Sequence, residues 1–258
     1  MSRLTHFSLF SGIGGIDLAG EWAGFESVGQ CEFADYPTKV LEKHWPEVPR
    51  WRDIRDVTLE SVRSRGIQSI DLISGGFPCQ PFSIAGEQRG KEDERYLWPE
   101  MFRVIKEVRP TWVLGENVAN FVNMALEETC TNLESAGYEV QPIVIPACSV
   151  NAAHQRQRVF IIGHVSDTER NGYQGAERLP KDIGSFKERR ESALGSVTKL
   201  FNDVDWEKRA IESGFLGGNN GVPNRMDRLK CLGNAVVPQQ VFPILQAIAD
   251  IEGGNPNG

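Results

Sequence analysis

Short apolar runs alternate with helical patterns along the first two thirds of the chain, and this alternation constrains the fold more than any other feature. Strand-like runs cover residues 5–10, 27–32, 69–74, 111–115, 138–145 and 158–165, with helical patterns near 15–23, 36–45, 58–65, 99–108 and 122–136. Such elements bury their apolar surfaces in a parallel sheet covered by helices on both faces. The expected fold class is therefore α/β, a doubly wound and mostly parallel sheet. At 258 residues the chain has room for one such domain and a small appendage. The rhythm stops at residues 166–222, which are polar, rich in Gly, Glu, Arg and Asn, and almost without periodicity. They read as a small loop-rich insert. Regularity returns at 229–238, and an apolar helix over about 239–251 is expected to pack back on the sheet. The last residues, 253–258, should fray.

Several function classes are disfavoured at once. No apolar run approaches the length of a membrane span, and the first residues lack the apolar core of a signal peptide. Five cysteines are scattered without a Cys-x-x-Cys pair, so neither a disulfide framework nor a zinc site is expected, and a reducing cytoplasm fits. The net charge of −7 is uneven: residues 1–150 carry 14 Lys/Arg against 22 Asp/Glu, and residues 151–258 carry 14 against 13. Basic clusters at Arg156-Gln157-Arg158, Lys187-Glu188-Arg189-Arg190 and from Arg225 to Lys230 permit a polyanionic partner for the second half without requiring one.

The first strand ends in Phe10-Ser11-Gly12-Ile13-Gly14-Gly15 before an apolar helix. Glycines there let backbone approach a ligand, and the helix N-terminus presents oriented N–H groups. Glu32 ends the second strand twenty residues after Gly12, where such folds place a carboxylate for ribose hydroxyls, and Asp53 follows a later strand end. The Gly-x-Gly-Gly spacing departs from the dinucleotide pattern. A plain tight strand–helix connection accounts for the turn equally well, and the two carboxylates tip the reading toward an adenosine-containing cofactor.

A sharper signal is Gly75-Gly76-Phe77-Pro78-Cys79-Gln80-Pro81-Phe82-Ser83, directly after the strand at 69–74. Ligands in open α/β sheets bind at the carboxyl ends of strands, so this loop sits where chemistry is expected. Free cysteines are mostly small buried hydrophobes, and the other four are assigned to that role. Cys79 stands apart: the Gly pair before it and a proline on each side suit a rigidly held nucleophile. Glu116, at the end of the next strand, can share a pocket with that thiol as a general acid. Arg156 and Arg158, two residues apart, point to one side of an extended backbone and suit an anion or a base carbonyl.

In this order, these residues resemble the motif set of DNA (cytosine-5) methyltransferases of the short bacterial or phage type, together with Asp53-Ile54-Arg55, Glu116-Asn117-Val118 and Gly233-Asn234-Ala235-Val236-Val237-Pro238. The resemblance covers roughly residues 4–165 and 228–252. It implies the Rossmann-like fold of class I S-adenosylmethionine-dependent methyltransferases. It also implies methyl transfer from S-adenosylmethionine to cytosine C5, leaving S-adenosylhomocysteine, with no metal. By that resemblance Cys79 attacks cytosine C6, Glu116 contacts N3 and the exocyclic amine, and Arg156 and Arg158 face the base carbonyl side or a phosphate. Phe10, Ser11, Gly12, Ile13, Gly14, Gly15, Glu32, Phe33, Asp53, Ile54, Pro78, Asn234 and Val236 surround the cofactor. The base must leave the duplex to meet Cys79. Double-stranded DNA is the implied substrate, with a cognate restriction endonuclease as a possible partner, in a monomeric cytoplasmic enzyme.

The resemblance divides the chain into a catalytic and cofactor-binding domain of residues 1–165 plus 228–258 and a small target-recognition region at 166–227. Two departures stand out. His154 occupies a position where the family has Gln, and the stretch between Val165 and Arg228 is shorter than the family's recognition region. Two rivals are an RNA (tRNA) cytosine-5 methyltransferase of the same fold and a nucleotide-cofactor oxidoreductase. The second leaves Cys79, Glu116 and the arginines without a role.

Overall fold

The computed structural model describes residues 3–78, 96–150, 152, 156–165 and 235–253. Cys79, His154, Asn234 and the expected recognition region at 166–227 lie outside the described residues. The strands are β1 (Thr5–Leu9), β2 (Glu26–Cys31), β3 (Arg50–Trp51), β4 (Leu72–Gly75), β5 (Trp112–Val118), β6 (Tyr138–Ile145) and β7 (Arg158–Val165). They form one seven-stranded sheet in the order β3-β2-β1-β4-β5-β7-β6. The pairs from β3 to β5 are parallel, and β7 lies antiparallel between β5 and β6. The helices are α1 (Gly15–Trp22), α2 (Asp35–His44), α3 (Leu59–Ser64), α4 (Trp98–Val108), α5 (Leu126–Ser135) and α6 (Pro238–Gly253).

Alternate strand residues feed two cores, one on each face, as the period of two demands. Phe7, Leu9, Ile73 and Val113 pack with Met101, Val104 and Ile105 of α4 and Leu133 of α5. Leu72, Trp112, Leu114 and Phe160 pack with Ile16 and Ala19 of α1 and with Val241, Ile244, Leu245 and Ile248 of α6. The final apolar helix thus returns to the sheet as expected, and Trp112 Nε1 donates to Glu252 at 2.9 Å near its end. Among the described residues, no helix is long and apolar enough to cross a membrane.

The strand boundaries differ most from the sequence expectation at β4 and β5. β4 begins at Leu72, because Asp71 accepts from the Thr5 backbone N–H at 2.7 Å and its hydroxyl at 2.9 Å and so ends the incoming loop. β5 continues to Val118, because β7 supplies ladder partners out to the pair Val118↔Arg158. The two-residue β3 supplies the strand end ahead of Asp53; it is registered by Gln30↔Arg50 and Cys31↔Trp51. The strand order reverses between β1 and β4, whose carboxyl ends are paired at Leu9↔Gly75. That crevice is where open α/β sheets bind ligands.

Candidate active site

Beyond β4 the chain is pinned just ahead of Cys79. The Phe77 ring is buried against Trp98 and Phe121, at centroid distances of 5.0 and 5.3 Å. Its carbonyl accepts from Asn117 Nδ2 at 3.1 Å. One residue earlier, a Cβ on Gly76 would stand 2.9 Å from Glu116 Oε2. Glycine there lets the backbone lie directly alongside the carboxyl group. Gly76, Phe77 and Pro78 therefore run past Glu116 and Asn117 on β5, and Cys79 is the next residue.

Glu116 is buried, and its Oε1 lies 2.7 Å from Arg158 Nε. Burial pushes its carboxyl above the ordinary value, opposed by the charges of Arg158 and Arg156 and the Arg158 hydrogen bond. The carboxyl is thus placed between desolvation, which favours its protonated form, and two guanidiniums, which favour its charged form. Arg156 departs from the expected extended alternation. It precedes β7 with φ 22, a left-handed backbone, so the same-side argument from strand periodicity does not apply to it. Its guanidinium instead donates to the Ala235 carbonyl at 2.8 Å and ties the segment before α6 to the site.

The turn after β1 holds Phe10, Gly12 and Gly14 at φ 52, 55 and 83, all in the left-handed region. The Glu32 carboxylate spans it, accepting the Gly12 N–H at 2.8 Å and the Ala34 N–H at 2.8 Å. Both oxygens retain further acceptor capacity for hydroxyl groups. Beside Glu32, the Phe33 ring is 75% exposed and free to stack on a planar base. Asp53 caps the turn after β3 by accepting the Arg55 N–H at 2.9 Å. Ile54, next along, is 4% exposed and belongs to the core. Gly15 meets the C-terminal segment, where a Cβ would stand 2.6 Å from the Val236 carbonyl oxygen.

This turn offers little to a pyrophosphate. The Gly12 N–H is already taken by Glu32, and Asp17 sits in the first turn of α1, offsetting the positive helix end that a phosphate would use. Around Gly12 itself a Cβ would meet nothing within 4 Å, which leaves the turn open above.

The sequence profile of the family described as C-5 cytosine-specific DNA methylase matches residues 4–220. The chain belongs to this family. Among its relatives, the Type II methyltransferase M.HhaI of Haemophilus parahaemolyticus is 32% identical over 191 residues, covering 72% of this chain and 56% of the relative. The Type II methyltransferase M.PspPI of a Psychrobacter species is 39% identical over 166 residues, covering 62% and 39%. In structure, the methyltransferase EhMeth of Entamoeba histolytica superposes with a TM-score of 0.63 over 100% of both chains at 13% identity, a likeness of fold. The chain spans 38% to 56% of the length of the first curated relatives it matches.

The crevice of this methylase-family chain brings most of the expected residues together. Glu32 bonds to Gly12 in the 10–15 turn, Gly15 meets Val236, Arg156 bonds to Ala235, and Gly76 lies against Glu116, which pairs with Arg158. Sequence reasoning assigned no role to Asn117, although it stands inside a motif singled out there. The missed signal is chemical: an amide immediately after Glu116 can reach the backbone that follows the neighbouring strand β4. Gly76 was read as part of a rigid loop holding Cys79, and the structure adds its close approach to Glu116.

Proposed function

We propose that this protein transfers a methyl group from S-adenosylmethionine to C5 of cytosine in double-stranded DNA, through a covalent bond between Cys79 and C6 of a flipped-out base. The observation that carries this reading is the buried Glu116–Arg158 pair beside Gly76, three residues before Cys79, within a chain of the cytosine-5 methylase family. Names of relatives as Type II methyltransferases support a role beside a cognate restriction endonuclease.

Cytosine C5 is a poor nucleophile in the resting ring. As the Cys79 thiolate adds to C6, the C5=C6 electrons shift into the ring, and Glu116 hydrogen-bonds N3 and takes up the charge that builds there. Arg158 orients the Glu116 carboxyl, and Arg156 braces the neighbouring 235–237 segment. Bound S-adenosylmethionine supplies an electrophilic methyl group. Loss of the C5 proton to base and departure of the Cys79 thiolate restore the aromatic ring. Asn117 holds Phe77 so that the thiol approaches from a fixed direction. Glu32, Phe33 and Asp53 would hold the adenosine part of the cofactor, with Phe10 to Gly15 around the remainder and Asn234 and Val236 closing the site.

Bisulfite sequencing of DNA from cells expressing the protein identifies the methylated site. A duplex with 5-fluorocytosine at that site cannot lose its C5 substituent as a proton. It should therefore form a denaturation-resistant adduct in the presence of S-adenosylmethionine, and Cys79→Ser should form none. Methyl groups found on cytosine N4 or adenine N6, or an adduct that survives Cys79→Ser, would overturn the proposal.

A further inference from the structure

A fully buried carboxylate beneath the glycine-rich turn has no part in the chemistry above. Asp17, in the first turn of α1, accepts at Oδ1 from Ser8 Oγ at 2.9 Å and from Gln30 Nε2 at 2.9 Å. Its Oδ2 has no hydrogen-bond partner among the described residues. Burying a carboxylate this incompletely satisfied costs stability, so its placement here calls for a use.

Two chains of contacts leave Asp17 and both return to the turn. On one side, Ser8 Oγ lies 2.6 Å from Ser11 Oγ. A hydroxyl has one proton. Because Ser8 gives its proton to Asp17, it can only accept in its contact with Ser11, whose hydroxyl also lies 3.1 Å from the Ser8 carbonyl and 3.3 Å from the Cys31 carbonyl; the carboxylate thereby fixes the Ser8 end of the chain. The Ser11 carbonyl then accepts the Gly14 N–H at 2.9 Å. On the other side, Gln30 Oε1 accepts from Arg50 Nε at 2.9 Å. A flipped amide would turn its N–H groups toward the guanidinium and its oxygen toward the carboxylate, so only one orientation is stable. Arg50 donates in turn to the Leu41 carbonyl at 2.9 Å and to the Trp45 carbonyl. The Trp45 ring lies so close to Gly14 that a Cβ there would overlap it.

We infer that Asp17 is a positioning residue for cofactor binding: through Ser8 and Ser11 on one side, and Gln30, Arg50 and Trp45 on the other, it holds the 10–15 turn in the shape that receives S-adenosylmethionine. This rests on the proposed function, which puts the cofactor at that turn. Asp17 touches neither cofactor nor base, so its loss should appear in cofactor affinity and not in the chemical step.

The test is calorimetric titration of S-adenosylmethionine into the full chain, with steady-state methylation measured alongside. Asp17→Leu should weaken binding by at least about tenfold and raise the cofactor KM in parallel, while kcat at saturating cofactor stays within about threefold. Asp17→Asn keeps an acceptor at Oδ1 and should fall between wild type and Asp17→Leu. Ser11→Ala, a mild change should Asp17→Leu fold poorly, should also weaken binding. Combined with Asp17→Asn it should add little further loss, because both break one chain of contacts. Glu252→Gln, which loosens the far end of α6, should lower the melting temperature without changing affinity. Wild-type affinity in Asp17→Leu, additive losses in the double variant, or a fall in kcat with KM unchanged would overturn the inference. Absence of S-adenosylmethionine binding by the wild-type protein would instead overturn the functional reading on which it rests.

Discussion

Glu116 and Arg158 meet at 2.7 Å as a diagonal pair across β5 and β7, with side chains only 10% and 13% exposed. The ladder puts Val118 opposite Arg158 and Phe160 opposite Glu116, so the two charges share one face two residues out of register. Burial raises the carboxyl and the guanidinium restrains that rise.

Breaking that pair from the arginine side should be costly. Arg158→Met leaves Glu116 buried without its cation, and such losses run to about 3–5 kcal/mol. The carboxyl should then move further up. Urea unfolding would show a lower midpoint with unchanged slope, and Arg158→Lys should recover only part of it because the planar fork is lost. An unchanged midpoint in Arg158→Met would contradict the pairing.

Gly76→Ala tests the close approach behind Glu116. The added methyl would press on Oε2 at 2.9 Å and displace the carboxyl from its position. Misplacement of a catalytic group by about 1 Å can cost on the order of a hundredfold in rate. Methylation should drop by that order while S-adenosylmethionine affinity, measured by titration, stays near wild type.

Gly15→Ala should act on the opposite side of the crevice. Its methyl would collide with the Val236 carbonyl oxygen at 2.6 Å and push the 235–237 segment away from the turn. Cofactor affinity should fall, and limited proteolysis near Val236 should quicken. Equal cleavage rates in variant and wild type would show that the segment is not held by this contact.

His6 makes stability pH-dependent in a direction that can be worked out. The ring is fully buried on β1 and bonded to Ser74 Oγ at 2.7 Å. Burial, outweighing the nearby Asp17 carboxylate, lowers its pKa below the ordinary 6.5. The unfolded chain therefore takes up a proton as pH falls through about 6.5 while the folded chain does not, so His6 costs stability on the acid side and nothing above it. Melting temperature should decline between pH 7.5 and 5.5, and His6→Asn should flatten that decline. Parallel profiles for the two proteins would assign the pH dependence to other groups.

Much of this protein can be read from order along the chain. Alternating apolar strands and amphipathic helices specify a parallel sheet, because period two and period 3.6 leave few other ways to bury those faces. The turn at 10–15, Glu32 and the Gly76-to-Cys79 run follow strand ends, Glu116 lies toward the carboxyl end of β5, and in such sheets strand ends are where sites form. Local patterns of this kind are written within a few residues of each other.

Tertiary structure alone decided the rest, because it depends on pairing between distant segments. Nothing local to residues 158–165 says that β7 inserts antiparallel beside β5, yet that register is what brings Arg158 to Glu116. The left-handed backbone at Arg156 likewise sends its guanidinium to Ala235 and not alongside its neighbour, against the strand alternation that its spacing suggested. Asp17 reads in sequence as an ordinary acidic residue in a first helical turn. Only the packing of α1 on β1 and β2 seals it from water between Ser8 and Gln30. In each case the deciding energy is the desolvation of a charge, which a sequence cannot register until the fold has said what covers it.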